Sequence, residues 1–335
     1  MNRALQLILG IGVSVLCVWL SMRGISFGEV LYALKRANVL GFVAVMGLTL
    51  LGFLLRAIRW RYFIELDRRL PLQSLFSATM IGFMTNNVLP FRLGEFVRPW
   101  ILARREKLPK TTLLATIVVE RAVDMLTLLG IFGLTMMIHP IAENTEAGHK
   151  VQVGARLLIG LCVGLTAFTV AAERNRVLAR KLIGGATGWV PPGPRDRLLH
   201  LFDGFLEGLG LFRDLGKLSI VFMLSFVMFM CFAVALGVSL WSLGISLPWY
   251  AGLVLLVITA IGIMVPGAPG GVGPLNIACI AGLALFGIGR AQSVPFSWFY
   301  FFSQWLPITS VGLVYLNREG LTLRSLGQAQ GGEVA

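Results

Sequence analysis

Charge is what this sequence has least of. Only 13% of its 335 residues are Asp, Glu, Lys or Arg, whereas a soluble domain usually carries about a quarter. Acids are scarcer than bases, 16 against 29. A water-facing surface of ordinary size cannot be built from so few charges. Cysteine is also rare. Cys17, Cys162, Cys231 and Cys279 each sit in an apolar stretch, without the spacing of a disulfide framework or a metal site. His139, His149 and His200 are scattered and lack the spacing of zinc ligands. No G-x-x-x-x-G-K-[ST] occurs, so these residues do not encode a P-loop ATPase. "GISFG" at 24–28 matches the letters of a nucleophile elbow. It follows an apolar helix rather than a strand, so the turn that exposes such a serine is missing. No cofactor and no metal are expected.

What is present is apolar length. Hydrophobic residues make up 56% of the chain, and the mean hydropathy is +0.81. Apolar segments are read at 4–22, 38–58, 72–90, 111–139, 154–172, 217–244, 249–265, 275–289 and 295–316. Several approach the roughly 20 residues a spanning helix needs. The fold class is therefore all-α, a polytopic transmembrane helical bundle. The first run ends in Ser21-Met22-Arg23 without a small-x-small site, so it reads as a retained helix rather than a signal peptide.

The net charge of +13 lies in the connections between these segments, where it sets orientation and meets anionic headgroups. Nothing soluble and basic is left over to bind nucleic acid. Residues 56–71 hold Arg56, Arg59, Arg61, Arg68 and Arg69, and 92–110 and 173–216 are similarly basic. Basic loops mark the cytoplasmic side. The expected location is the cell (inner) membrane, multi-pass, with both termini cytoplasmic.

That orientation creates a conflict. Both flanks of 72–90 would be cytoplasmic, yet 19 residues cross a bilayer only once. Either 72–90 enters and returns as a re-entrant hairpin, or the arginines of 92–98 lie within the membrane depth or beyond it. A second break lies between 249–265 and 275–289, where "PGAPGGVGP" cannot continue a regular helix. Two interrupted segments, one opening from each face, fit an inverted-repeat transporter, although no internal sequence repeat is visible. One domain is expected over 1–320. In the loop around 196–215, Leu198, Phe202, Phe205, Leu209 and Phe212 recur at helical spacing, as in an interfacial amphipathic helix or a helix capping the bundle. The tail 321–335 is expected to be disordered.

The candidate site comes from polar residues inside this apolar frame. "NNVLPFRLGEFVRP", 86–99, contributes Asn86, Asn87, Arg92, Glu95 and Arg98. Arginine presents a planar fork of donors that suits a phosphate, and the asparagines add amide donors. "TTLLATIVVERAVDMLTLLG" places Glu120, Arg121 and Asp124 in an apolar helix. Each charge there costs at least about 2.5–3.5 kcal/mol and faces a partner or a cavity. Arg121 can reach Asp124 three residues on, and Glu120 needs another partner, for which an arginine from 92–98 is the candidate. "VPGAPGGVGPLN", 265–276, adds Gly270, Gly271, Gly273 and Asn276, whose backbone N–H groups could cradle an anion at a helix start. For each group a purely structural reading stands beside the functional one: ion pairs that lock helices, and a tight turn.

These three stretches, in this order, resemble the lysylphosphatidylglycerol synthase transmembrane-region family, also called the flippase-like domain. It is the membrane half of multiple peptide resistance factor proteins. The resemblance runs over roughly 5–320. It carries over Asn87, Pro90, Arg92, Gly94, Glu95, Arg98, Glu120, Arg121, Asp124, Pro266, Gly270, Gly271 and Gly273. It implies a protein that moves a phospholipid or lipid-linked headgroup between leaflets, with anionic phosphate headgroups as partners. A second copy of the chain or a separate lipid-modifying enzyme remains open as a further partner. Many relatives have an acid where this chain has Asn276, so the resemblance does not fix the lipid. A membrane-embedded enzyme or accessory subunit in lipid or lipid-linked sugar synthesis is the alternative. No synthase domain, metal motif or nucleotide motif supports it, and the enzyme question stays open.

Overall fold

A computed structural model describes residues 25–64, 69–89, 92–139, 215–264 and 269–323, and isolated positions 18, 19, 21, 22, 153, 160, 164 and 326. Most of the first apolar run, the 154–172 segment, the 196–215 amphipathic helix, Pro90, Pro266 and nearly all of the tail lie outside the described residues. Among the described residues the regular structure is entirely helical: α1 Phe27–Arg36, α2 Val39–Phe63, α3 Leu72–Val88, α4 Gly94–Glu106, α5 Lys110–Ile138, α6 Leu215–Ser242, α7 Ala251–Met264, α8 Pro274–Ala284 and α9 Arg290–Arg318, with a 3-10 turn at Pro269–Gly271.

Helices α2 and α6 are long and apolar enough to cross a membrane, and α5 and α9, at 29 residues each, span about 43 Å. The outward side chains are apolar: Val39, Val43 and Leu51 on α2, Met125, Leu134 and Met137 on α5, Met223, Phe226 and Val234 on α6. Water does not tolerate so continuous an exposed apolar surface, and lipid does. The molecule is a helical membrane bundle.

Helices α2 and α6 pack antiparallel along their whole length. Asn38 opens α2, its Oδ1 accepting from the Leu40 and Gly41 N–H groups at 2.9 and 3.3 Å, as an N-cap should. Gly41 faces Ser242, Gly52 faces the Phe232 ring, and Arg59 donates to Ser225 Oγ at 2.6 Å. The end of α2 that carries Arg59 and Arg61 therefore lies at the start of α6, and α5 and α9 place Lys110 and Arg318 at the same end. This is the basic face of the bundle. His139, Ser242 and Tyr250 mark the other.

Helix α3 enters from the basic face beside α9. Ser77 Oγ donates to Glu319 Oε1 at 2.9 Å, Met80 and Met84 abut Gly312, and Asn87 Nδ2 donates to Thr309 Oγ1 at 3.1 Å. From Ser77 to Asn87 is ten residues, about 15 Å, or half of a ~30 Å hydrocarbon core. The helix stops there because Leu89 precedes a proline and is extended, with φ −105° and ψ 146°, as the residue before proline prefers. The chain turns at Arg92, at φ 51°, and α4 runs back along α3 to the basic face. A re-entrant hairpin is thus present, but its arms differ from the expectation. The 72–88 stretch is one unbroken helix, and the returning arm is the arginine-bearing α4. Arg92 and Arg98 accordingly lie within the membrane depth.

The arms of this hairpin touch backbone to backbone. A Cβ on Gly94 would collide with the Gly82 carbonyl oxygen, and one on Gly82 would lie 2.8 Å from Arg98 Cβ. Gly94→Ala is expected to destabilise the hairpin by about 1–3 kcal/mol, the usual cost of overpacking. Thermal unfolding of the detergent-solubilised chain measures it, and Gly130→Ala, with open space around it, is the comparison.

A second hairpin enters from the opposite face. Gly262 of α7 abuts Ala278 of α8, and Gly282 of α8 abuts Leu255 and Ile258 of α7. Its tip holds Gly270, Gly271 and Gly273 at φ 73°, 69° and 92°, conformations that glycine adopts without a Cβ penalty. Pro274 then starts α8 at the position where its missing N–H costs nothing. Trp305 of α9 touches both tips. Its Nε1 donates to the Asn87 carbonyl at 3.4 Å, and its ring lies 3.2 Å from the Cβ position of Gly270. Two half-depth hairpins of opposite direction thus meet near the middle of α9.

Candidate functional site

Beneath the hairpin tips lies a buried ion-pair network. Three helices supply it. Arg56 and Arg59 come from the last two turns of α2, Arg98 from α4, and Glu120, Arg121 and Asp124 from one face of α5. Arg98 Nη1 donates to both Glu120 oxygens at 2.9 and 2.8 Å. Arg56 Nη1 bridges the two carboxylates, 2.7 Å from Glu120 and 2.9 Å from Asp124. Arg59 Nη2 lies 2.7 Å from Asp124 and 3.5 Å from Glu120. Arg121 lies 3.2 Å from Glu120 and 3.4 Å from Asp124.

Glu120 is fully buried, whereas the Arg121 side chain is 38% exposed. That difference separates the inner members of the network from its one outward-facing arginine. Aromatic faces line the inner members: the Arg98 guanidinium lies 3.9 Å over the Trp60 ring, and those of Arg56 and Arg59 are 5.4 and 5.6 Å from Phe83 and Phe63. Such cation–π contacts offset part of the desolvation of a charge. Trp60 itself is anchored, its Nε1 donating to Thr116 Oγ1 at 2.9 Å.

Above the network, between the two hairpin tips, is a cavity of ≈ 360 Å³. Its polar lining includes Asn86, Asn87, Arg92, Glu95, Arg121 and Gln304, and Gly270 and Gly271 lie on its wall. Apolar side chains complete the wall, among them Phe53, Phe83, Leu275 and Ile308. Arg92 Nη2 donates to the Ile263 carbonyl at the end of α7, so one side chain ties the first tip to the second. Glu95 lies 3.9 Å from Arg92, a loose pair that leaves most of the guanidinium's donors free. Asn86 Oδ1 accepts from the Gly94 N–H at 2.7 Å and holds the turn closed. Gln304 Nε2 is buried without a hydrogen-bond partner among the described residues, and such a donor is costly unless something accepts from it.

The twelve residues singled out from sequence therefore divide in three. Asn86, Asn87, Arg92, Glu95, Arg121, Gly270 and Gly271 line the cavity. Arg98, Glu120 and Asp124 belong to the buried network below it. Gly273 and Asn276 belong to the helix start: the Gly273 N–H donates to Asn276 Oδ1 at 3.1 Å, and Asn276 Nδ2 donates to Ser297 Oγ at 2.9 Å.

Arg56 and Arg59 were not among the twelve. They fall at the end of an apolar run and beside further arginines, where charge usually means a cytoplasmic anchor. Arg56 nevertheless lies inside the 38–58 apolar segment, and Arg59 follows three positions later, which puts both on one helix face. Two unpaired arginines on one face of a membrane helix, with two unpaired acids elsewhere, were the available signal.

Over 137 residues, 41% of the chain, the sequence is 29% identical to Glycosyltransferase AglD of Haloferax volcanii. That stretch is 22% of the relative, so the chain matches about a fifth of that protein's length. The family model described as Lysylphosphatidylglycerol synthase TM region matches residues 7–312. This chain belongs to the lysylphosphatidylglycerol synthase TM region family.

Proposed function

We propose that this protein carries a lipid phosphate headgroup between the leaflets of the cell membrane, with its basic face cytoplasmic. The observation that supports the reading best is the meeting of two half-depth hairpins, from opposite faces, around a cavity with free arginine donors. A charged headgroup crosses hydrocarbon only if polar groups replace its water. Interrupted helices at membrane depth are tolerated where they line such a cavity. In this reading Arg92 and Arg121 take the phosphate oxygens, and Asn87 and Gln304 donate further hydrogen bonds. The ion-pair network below holds α2, α4 and α5 so that Arg121 stays aimed at the cavity. The acyl chains lie along the apolar wall and the lipid outside it.

Leaflet exchange in reconstituted vesicles tests this. Full-length protein is expected to speed the exchange of a tagged anionic phospholipid or lipid-linked phosphate above that of protein-free vesicles. No acceleration for any of several such lipids would overturn it.

The similarity to a protein named as a glycosyltransferase favours a second reading, an accessory role in lipid-linked sugar synthesis. Deleting the gene would then change which glycolipids the cell contains, rather than which leaflet holds them.

A further inference from the structure

Among the described helices, α1 alone neither crosses the bundle nor belongs to a hairpin. Both of its flanks are tied to one face. After it, the Asn38 N–H donates to the Ser242 carbonyl at 3.0 Å. Before it, the Ser21 carbonyl accepts from Nη2 of Arg290, the first residue of α9, at 2.9 Å. Ser242 and Arg290 both lie at the face opposite the basic loops. A helix of 10 residues, about 15 Å long, with both flanks at one level lies along that face rather than across the membrane. The level is that of the headgroups. Trp241 at the end of α6 and Trp249 just before α7 are exposed, and the Trp241 ring lies beside Gly41 in the first turn of α2. Exposed tryptophans of a membrane bundle collect where hydrocarbon meets water.

Ser26 caps α1, its Oγ accepting from the Glu29 N–H at 3.2 Å. The helix then has two faces. Glu29, Tyr32 and Arg36 fall on one. Phe27, Val30, Leu31 and Leu34 fall on the other, at the spacing of an apolar stripe. Half of that stripe is packed on the bundle: Val30 is buried, and Leu34 packs near Val45, Ala235 and Phe299 of α2, α6 and α9. The other half is not, since Phe27 is 74% exposed and Leu31 is exposed as well. From there the chain runs into Val39, Leu40 and Val43, the lipid-facing side chains at the start of α2. Lys35 and Arg36 stand exposed in the last turn of α1, and the Arg36 guanidinium lies 5.0 Å over the Tyr32 ring. This basic pair is on the side away from the basic loops, so it does not serve orientation. Cations beside the apolar stripe of a short surface helix reach the phosphates of the lipid around it.

We infer that α1 lies flat in the headgroup layer opposite the basic loops and binds anionic phospholipid there, with Phe27 and Leu31 in the acyl region and Lys35 and Arg36 on the phosphates. A helix this short is marginal in water, and the lipid supplies the second half of the surface it packs against. The contact is independent of leaflet exchange, and its loss would leave the cavity as described.

The test places the full chain in lipid nanodiscs, where both faces meet the buffer. The native cysteines are replaced by alanine, and a fluorophore is attached at Phe27→Cys, Leu31→Cys or Glu29→Cys, all at exposed positions. A nitroxide on the lipid acyl chain is expected to quench the first two labels roughly threefold more than the third, the effect of seating below the headgroups. Iodide in the buffer should give the reverse order. Equal quenching at all three positions would overturn the flat placement. A Phe27→Cys label shielded from both quenchers would mean that protein covers it, and would overturn the lipid contact. In mixed nanodiscs, nitroxide carried on phosphatidylglycerol should quench the Leu31→Cys label roughly fivefold more than nitroxide carried on phosphatidylcholine, the effect of a basic residue at an anionic surface. Lys35→Gln with Arg36→Gln should remove that difference. Equal quenching by the two lipids with Lys35 and Arg36 in place would overturn the anionic partner.

Discussion

Glu120→Ala is expected to be the most damaging single substitution in the chain. It leaves four arginines, three of them buried, facing Asp124 alone. Removing one partner from a buried ion pair costs about 3–5 kcal/mol, because the remaining charge keeps its desolvation penalty without its compensation. The loss falls on three helices at once, since Glu120 is, among the described residues, the only one that pairs with arginines of α2, α4 and α5. Thermal unfolding in detergent should drop by roughly 10 °C, with poor recovery of folded protein. Asp124→Ala should cost less. Asp124 pairs with Arg56, Arg59 and Arg121 but leaves the Arg98–Glu120 fork intact. A ranking with Asp124 above Glu120 would show that the network is held from the α2 side and that the α4 hairpin is docked by its glycines alone.

Arg92→Ala is expected to do the opposite: little to stability and much to transport. The side chain is 39% exposed, its pair with Glu95 is loose at 3.9 Å, and its hydrogen bond to the Ile263 carbonyl joins two hairpin tips rather than core helices. Loss of a charge-assisted contact to a bound phosphate costs about 1.5–3 kcal/mol. Vesicle exchange should therefore fall by roughly tenfold to a hundredfold, while the unfolding temperature moves by no more than about 2 °C. Arg92→Lys keeps the charge without the fork and should recover part of the rate. The finding that would overturn this assignment is normal exchange by Arg92→Ala protein. The two substitutions together separate the residues that hold the bundle from those that meet the ligand.

Sequence showed the exceptions to apolarity clearly. Glu120 and Asp124 stand out because a carboxylate has no ordinary place in a membrane helix, and the need for an arginine from 92–98 led to Arg98. The Pro/Gly tip at 265–273 is legible for the same reason: no helix survives it. The paths of the hairpins were harder. Helix α4 is not apolar, so hydropathy missed it as the returning arm. Its arginines are acceptable at depth because Glu120 and Trp60 receive Arg98, and that is a tertiary fact. Arg56 and Arg59 were hidden by their neighbours, since a run of arginines after an apolar segment reads as an interfacial anchor. Which of Arg92 and Arg98 faces the cavity was also invisible. It depends on the turn at Arg92, which sends the two side chains to different sides of α4.

The wide chain separation within the ion-pair network bears on how the protein is made. Arg56 precedes Glu120 by 64 residues and Arg98 precedes it by 22. At about 5–20 residues per second, the ribosome emits Arg56 roughly 3–13 s before its acid exists. During that interval α2 and the nascent hairpin carry uncompensated cations that hydrocarbon rejects. The ion pairs of both close only once α5 is synthesised, so final seating of α2 and the hairpin is expected to follow α5 rather than proceed helix by helix.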